Sequence, residues 1–137
     1  MKLKKIIYVL LIGFLFTNYS CKDNEPEQEP KTQAELLVGT WGKIRIVENG
    51  TINEFSECKQ NGTTTFNTDG SVHDIPYVEY SGDCIIDGES DGNWVSENGI
   101  VLISFDVDIE PGLPIFEITE TVLKLGNENN YLEYVRE

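Results

Sequence analysis

The side chains of this chain best equipped for covalent, redox or metal chemistry are three cysteines, Cys21, Cys58 and Cys84, and a single histidine, His73, set among 24 acidic residues. A nucleophilic enzyme needs a base within reach of its nucleophile, and a glycosidase needs two opposed carboxylates in a cleft. His73 stands beside Asp74 on a predicted strand, where neighbouring side chains point to opposite faces, so the two do not form a dyad. No G-x-S-x-G, H-E-x-x-H, phosphate-cradling or dinucleotide-binding motif occurs. Asp87, Glu89, Asp91 and Gly92 match the first half of a calcium loop, but Asn98 occupies the place of its closing bidentate Glu and no helix flanks it. Asp106, Asp108 and Glu110 line one side of an extended segment and read as a solvated face. The sequence therefore predicts no enzyme, no metal and no cofactor.

Cys21 has a different context from the other two. Lys2, Lys4 and Lys5 precede an apolar run over 6–16, too short for the ~20 residues of a permanent spanning helix and within the ~7–15 of a signal-peptide core. Ser20-Cys21 resembles the cleavage site of bacterial lipoproteins, in which the Cys is acylated and becomes the mature N-terminus; Asn18 stands where that pattern prefers Leu. The expected order is a signal peptide over 1–20, a lipidated flexible tether over 21–32 and a folded domain over 33–137. Lys22 and the acidic, proline-containing stretch behind it resemble the export tags of surface-displayed lipoproteins, which implies the outer membrane of a bacterial cell envelope. Acyl chains on Cys21 would supply the membrane contact, so the domain needs no membrane-binding face of its own.

Once the chain is exported, Cys58 and Cys84 form an even pair in an oxidising compartment, most simply a disulfide. Metal binding is the weaker alternative, because neither lies in a C-x-x-C and His73 is the lone histidine. The bond would close a loop of about 27 residues, worth roughly 3–4 kcal/mol, and clamp the first strands to the middle of the domain.

The 137 residues suit one domain, with 39% hydrophobic and 25% charged side chains. Ten basic residues against 24 acidic give a net charge of −14, and losing residues 1–20 removes three lysines and no acid, leaving −17. Nucleic-acid affinity rests on Lys and Arg displacing counterions from phosphates, so nucleic acid is excluded as a partner.

The elements that would position any site are strands. Only residues 32–38 read as helical, with Thr32 and Glu35 at capping-box spacing and Gly39 as a stop. Asn49-Gly50 and Asn98-Gly99 mark two-residue hairpins, and Asn67-Thr68-Asp69-Gly70 a longer turn. Strands are expected over 40–48, 51–56, 63–67, 71–80, 91–97, 100–106, 114–119, 122–126 and 130–136. Such a meander, with one apolar face per strand, closes most simply into a barrel that removes exposed edges; an open sheet or flattened sandwich is the alternative. The fold class is thus all-β: a small antiparallel up-and-down barrel of about eight short strands with a short N-terminal helix.

Gly39-Thr40-Trp41, followed by Cys58, Phe66 to Gly70, Cys84, Gly92-Asn93-Trp94, the stretch from Ile118 to Leu125 and the final Tyr131 to Arg136, resembles the lipocalin-like domain of bacterial lipoproteins. The resemblance implies a barrel that holds a small hydrophobic ligand, and a late basic side chain, here Arg136, packed over the entrance Trp41. Trp41, Ile44, Phe66, Trp94 and Leu102 are the expected ligand-binding residues. Two features sit awkwardly with it. Alternation puts Trp41 on the same face as Lys43 and Arg45, so an inward Trp41 calls for a bulge near Gly42. About 105 residues also make a barrel filled by its own side chains a direct competitor, which would serve as a non-catalytic interaction or structural module at the cell surface.

Overall fold

The structure, a computed structural model, describes residues 29–105, 108–109 and 112–137. The expected signal peptide, Cys21 and residues 22–28 of the tether lie outside the described residues, as do Asp106, Glu110 and the side chain of Asp108. A compact unit spans Lys31–Glu137.

Helix α1 (Gln33–Leu37) begins with the predicted capping box: the Glu35 amide donates to Thr32 Oγ1 at 3.2 Å, and the Thr32 amide donates to Glu35 Oε2 at 2.7 Å. The chain then enters β1 (Gly39–Glu48) and β2 (Thr51–Glu54), passes through the one-turn helix α2 (Glu57–Gln60), and continues as β3 (Thr63–Phe66) and β4 (Ser71–Ile75). A side hairpin of β5 (Tyr77–Tyr80) and β6 (Asp83–Ile86) follows. After it come β7 (Ser90–Glu97), β8 (Ile100–Phe105), the short β9 (Asp108–Ile109), β10 (Leu113–Ile118), β11 (Val122–Asn127) and β12 (Asn130–Arg136).

Eight of these strands close a ring in chain order, β1-β3-β4-β7-β8-β10-β11-β12 and back to β1, every pair antiparallel. The barrel is therefore up-and-down, as the meander suggests. Its shortest seam joins β8 to β10 through only Val101↔Leu113 and Ile100↔Pro114. Asn49 and Asn98 adopt φ of 50° and 52° ahead of their glycines, the left-handed geometry that a tight hairpin between right-twisted strands requires.

Three local expectations are corrected. The strand expected over 71–80 breaks at Pro76, whose missing N–H cannot continue a ladder. Its second half instead folds back on β6 through Ser81 and Gly82, both at positive φ, and this hairpin is a separate two-stranded sheet. Cys58 and Cys84 are bonded, with Cα atoms 5.5 Å apart, but they join α2 to β6. The bond thus staples the side hairpin to a helical turn and does not link two strands of the ring. The bulge also lies further along than Gly42: the β1–β12 register shifts between Lys43 and Arg45, leaving Ile44 as the extra residue.

That bulge sorts the first strand. Trp41 and Lys43 share the inner face, in register with Arg136 and Tyr134 of β12. Beyond Ile44, Arg45 reaches Glu54 at 3.0 Å and Glu133 at 3.3 Å on the outer face. The core that fills the ring includes Leu37, Trp41, Phe66, Val72, Trp94, Val101, Leu123 and Tyr134.

Candidate functional site

One end of the barrel is sealed. Leu37 of α1 and Trp41 are both fully buried, and the indole Nε1 donates to the Leu37 carbonyl at 2.7 Å. The Arg136 guanidinium lies 4.2 Å from the centre of the Trp41 ring, as the lipocalin-like resemblance implies. It also donates to the carbonyls of Val38 at 2.8 Å, Glu120 at 2.6 Å and Leu36. Carbonyls left open at the end of α1 thus receive a charged donor, which ties the helix to the last strand. Gly39, at φ 136°, brings its backbone against Arg136 where a Cβ would collide with the guanidinium. Phe66 and Trp94 meet edge to face with centroids 5.5 Å apart, and the Trp94 Nε1 donates to the Asn67 carbonyl at 3.1 Å. This part of the interior is packed by the chain's own side chains.

Beyond that layer the interior is open. A cavity of about 200 Å³ is bounded by Phe66, Ile103, Phe105, Leu113 and Leu125 on its apolar sides and by Lys43, Thr64, Asp74 and Tyr134 on a polar wall. Lys43 Nζ donates to both carboxylate oxygens of Asp74, at 2.8 and 3.0 Å, and the Thr64 hydroxyl donates to the same carboxylate. The Lys43 and Asp74 side chains stay 22% and 19% exposed, so the polar wall is the side that solvent reaches. Tyr134 is only 7% exposed. Burial, with the Asp74 charge adding to it, pushes its phenol well above the ordinary tyrosine range, so the hydroxyl remains protonated and able to donate.

The five expected ligand-binding residues separate. Trp41, Phe66 and Trp94 come together in the core, and Phe66 also lines the cavity. Ile44 is the extra residue of the bulge and belongs neither to the core nor to the cavity lining. Leu102 is 38% exposed on the outer face, because alternation along β8 turns Val101 and Ile103 inward, and there it lines with Trp94 and Val95 an open pocket of about 230 Å³. The polar wall was not anticipated, although its signal was present: Lys43 has the same parity as Trp41, and Asp74 the opposite parity to His73. His73 indeed faces outward, its Nδ1 2.7 Å from Asp91 Oδ1 on the neighbouring strand. Among the described residues, no three His, Cys, Asp or Glu side chains gather as metal ligands would.

The lipocalin-like domain family matches residues 37–125 of the chain. Two solved structures share the fold. A lipocalin-like protein from Bacteroides uniformis ATCC 8492 is 14% identical, with a TM-score of 0.58 over 74% of this chain and 99% of that one. An uncharacterized protein from Bacteroides eggerthii DSM 20697 is 13% identical, with the same TM-score and coverage. No functionally curated protein gives a significant match.

Proposed function

The chain belongs to the lipocalin-like domain family, and from that premise we propose that it is a non-catalytic lipoprotein that binds a small hydrophobic ligand inside its barrel. The observation that carries the proposal is the cavity of about 200 Å³ between Phe66, Phe105 and Leu125, walled by apolar side chains and reached from the side of Lys43 and Asp74. A barrel of eight strands is wide enough either to be filled by its own side chains or to hold one small ligand. Here the layer around Trp41 is filled and the layer above it is not.

The charged and apolar N-terminal stretches and Cys21 support tethering by acyl chains to the bacterial outer membrane. A Cys21→Ala chain should leave the membrane fraction. Protein purified from its own bacterial envelope should release one apolar compound in stoichiometric amount on solvent extraction. A Leu125→Trp variant, which fills the cavity, should release none. Recovery of the same compound from that variant would place binding elsewhere.

A second reading, an interaction module, is favoured by one observation. Val95, Ile100 and Leu102 lie exposed on the outer wall of β7 and β8, with only the backbone at Gly112 lying against the last two among the described residues. Cross-linking on intact cells that captures no reproducible neighbour would remove it.

A further inference from the structure

Resting on the ligand-binding reading above, we propose that the cavity selects a small neutral molecule, one ring or a short chain in size, that presents a carbonyl-type oxygen to Tyr134 and Lys43. Size comes first. A cavity of ~150 Å³ holds benzene, whereas pockets for drug-sized ligands run from about 300 to 1,000 Å³. At about 200 Å³, this cavity encloses a group of roughly nine non-hydrogen atoms, and a long acyl chain or a fused-ring system would extend out through its solvent-facing side.

The polar wall sets the class. The Tyr134 side chain is more than nine-tenths buried and lines the cavity, and its hydroxyl donates to no other described residue while staying reachable by water in the cavity. A ligand that fills the cavity takes this donor out of water, which is costly unless the ligand brings an acceptor in its place. Lys43 spends two of its three N–H donors on Asp74 and has one left. Two donors lining one cavity suit the two lone pairs of a ketone, ester or amide oxygen. An anionic ligand fits poorly. Asp74 already neutralises the Lys43 ammonium at 2.8 Å, so a carboxylate would enter a partly desolvated space facing another carboxylate, with no second cation among the described residues that line it. A purely apolar ligand would displace water from Tyr134 without replacing its hydrogen bond.

Three probes of similar size and shape separate these cases: acetophenone, isopropylbenzene and benzoate. Each is titrated calorimetrically into the full chain in lipid nanodiscs, with empty nanodiscs as the blank. Acetophenone should bind about tenfold more tightly than isopropylbenzene, the size of one buried donor left unsatisfied, and more tightly than benzoate. In Tyr134→Phe the tenfold preference should shrink to about twofold. Should that variant fail to fold, the ratio in the unaltered chain is still decisive. Equal affinity for acetophenone and isopropylbenzene would overturn the polar selection while leaving ligand binding intact. Benzoate as the tightest probe would overturn the neutral class. No binding of any probe at millimolar concentration would overturn this inference together with the ligand-binding reading.

Discussion

Removing the Arg136 side chain tests the sealed end of the barrel. In Arg136→Met the aliphatic stem is largely kept, but the carbonyls of Leu36 and Val38, both part-buried, lose a charged donor, and the Trp41 ring loses the cation 4.2 Å from its centre. Each part-buried hydrogen bond is worth about 1 kcal/mol once competition from water is counted. The cation over the aromatic face adds roughly 1 kcal/mol. The exposed bond to the Glu120 carbonyl adds little. The loss should therefore be about 3 kcal/mol, which for a domain of this size lowers Tm by roughly 12–20 °C. Arg136→Lys keeps the charge on a point donor that cannot fork to several carbonyls, so it should lose about half as much. Urea unfolding followed by tryptophan fluorescence measures both, since Trp41 passes from full burial to water. A loss below about 1 kcal/mol in Arg136→Met, or Arg136→Lys unfolding like the unaltered chain, would refute the idea that this residue locks α1 to the barrel.

Other consequences follow from the same geometry. Replacing Cys58 and Cys84 by Ser should cost roughly 3–4 kcal/mol in a denaturant titration. Because the bond joins α2 to β6, both off the eight-strand ring, affinity for a ligand in the cavity should change by less than about twofold. In Gly92→Ala the new Cβ would overlap the Ser104 carbonyl oxygen across the β7–β8 pair, so a midpoint loss equivalent to about 1–3 kcal/mol is expected by calorimetry. Stability should also fall at alkaline pH. The folded-state pKa of Tyr134 is raised, so unfolding releases its proton once the pH exceeds the ordinary tyrosine value of about 10. The contribution is fully present below that pH and is lost as pH rises toward the folded value. Tyr134→Phe should flatten this part of the pH–stability curve, and an unchanged slope above pH 10 would show that Tyr134 is not buried as described.

The ring of strands was legible because its turns are written in residue types. Asn98-Gly99 between β7 and β8 admits few geometries other than a tight hairpin, Asn67 to Gly70 returns β3 onto β4, and apolar alternation then fixes which face turns inward. The side hairpin was hidden by Pro76, which lies inside a run that otherwise reads as one strand, and by Ser81-Gly82, a weaker turn pair. The site was only half legible. Large aromatic residues announce a core, so Trp41, Phe66 and Trp94 stood out. Lys43 and Asp74 read as surface charges, because a single sequence does not show that each neutralises the other within a barrel wall. Lys43 keeps the parity of Trp41, and what has no residue signature of its own is the bulge at Ile44 that parts it from Arg45 on the outer face. Leu102 was misplaced for the complementary reason: its apolar character suggested the interior, while its parity with Ile100 and Val95 across the hairpin sets it outside.

The most direct test is native mass spectrometry of the disulfide-intact protein, released gently from its own bacterial envelope. A hollow upper barrel that serves as a binding site predicts one small adduct per chain, lost on mild activation and absent from the cavity-filled Leu125→Trp variant. A clean unliganded mass for the unaltered chain, unchanged when envelope extract is added back, would contradict it.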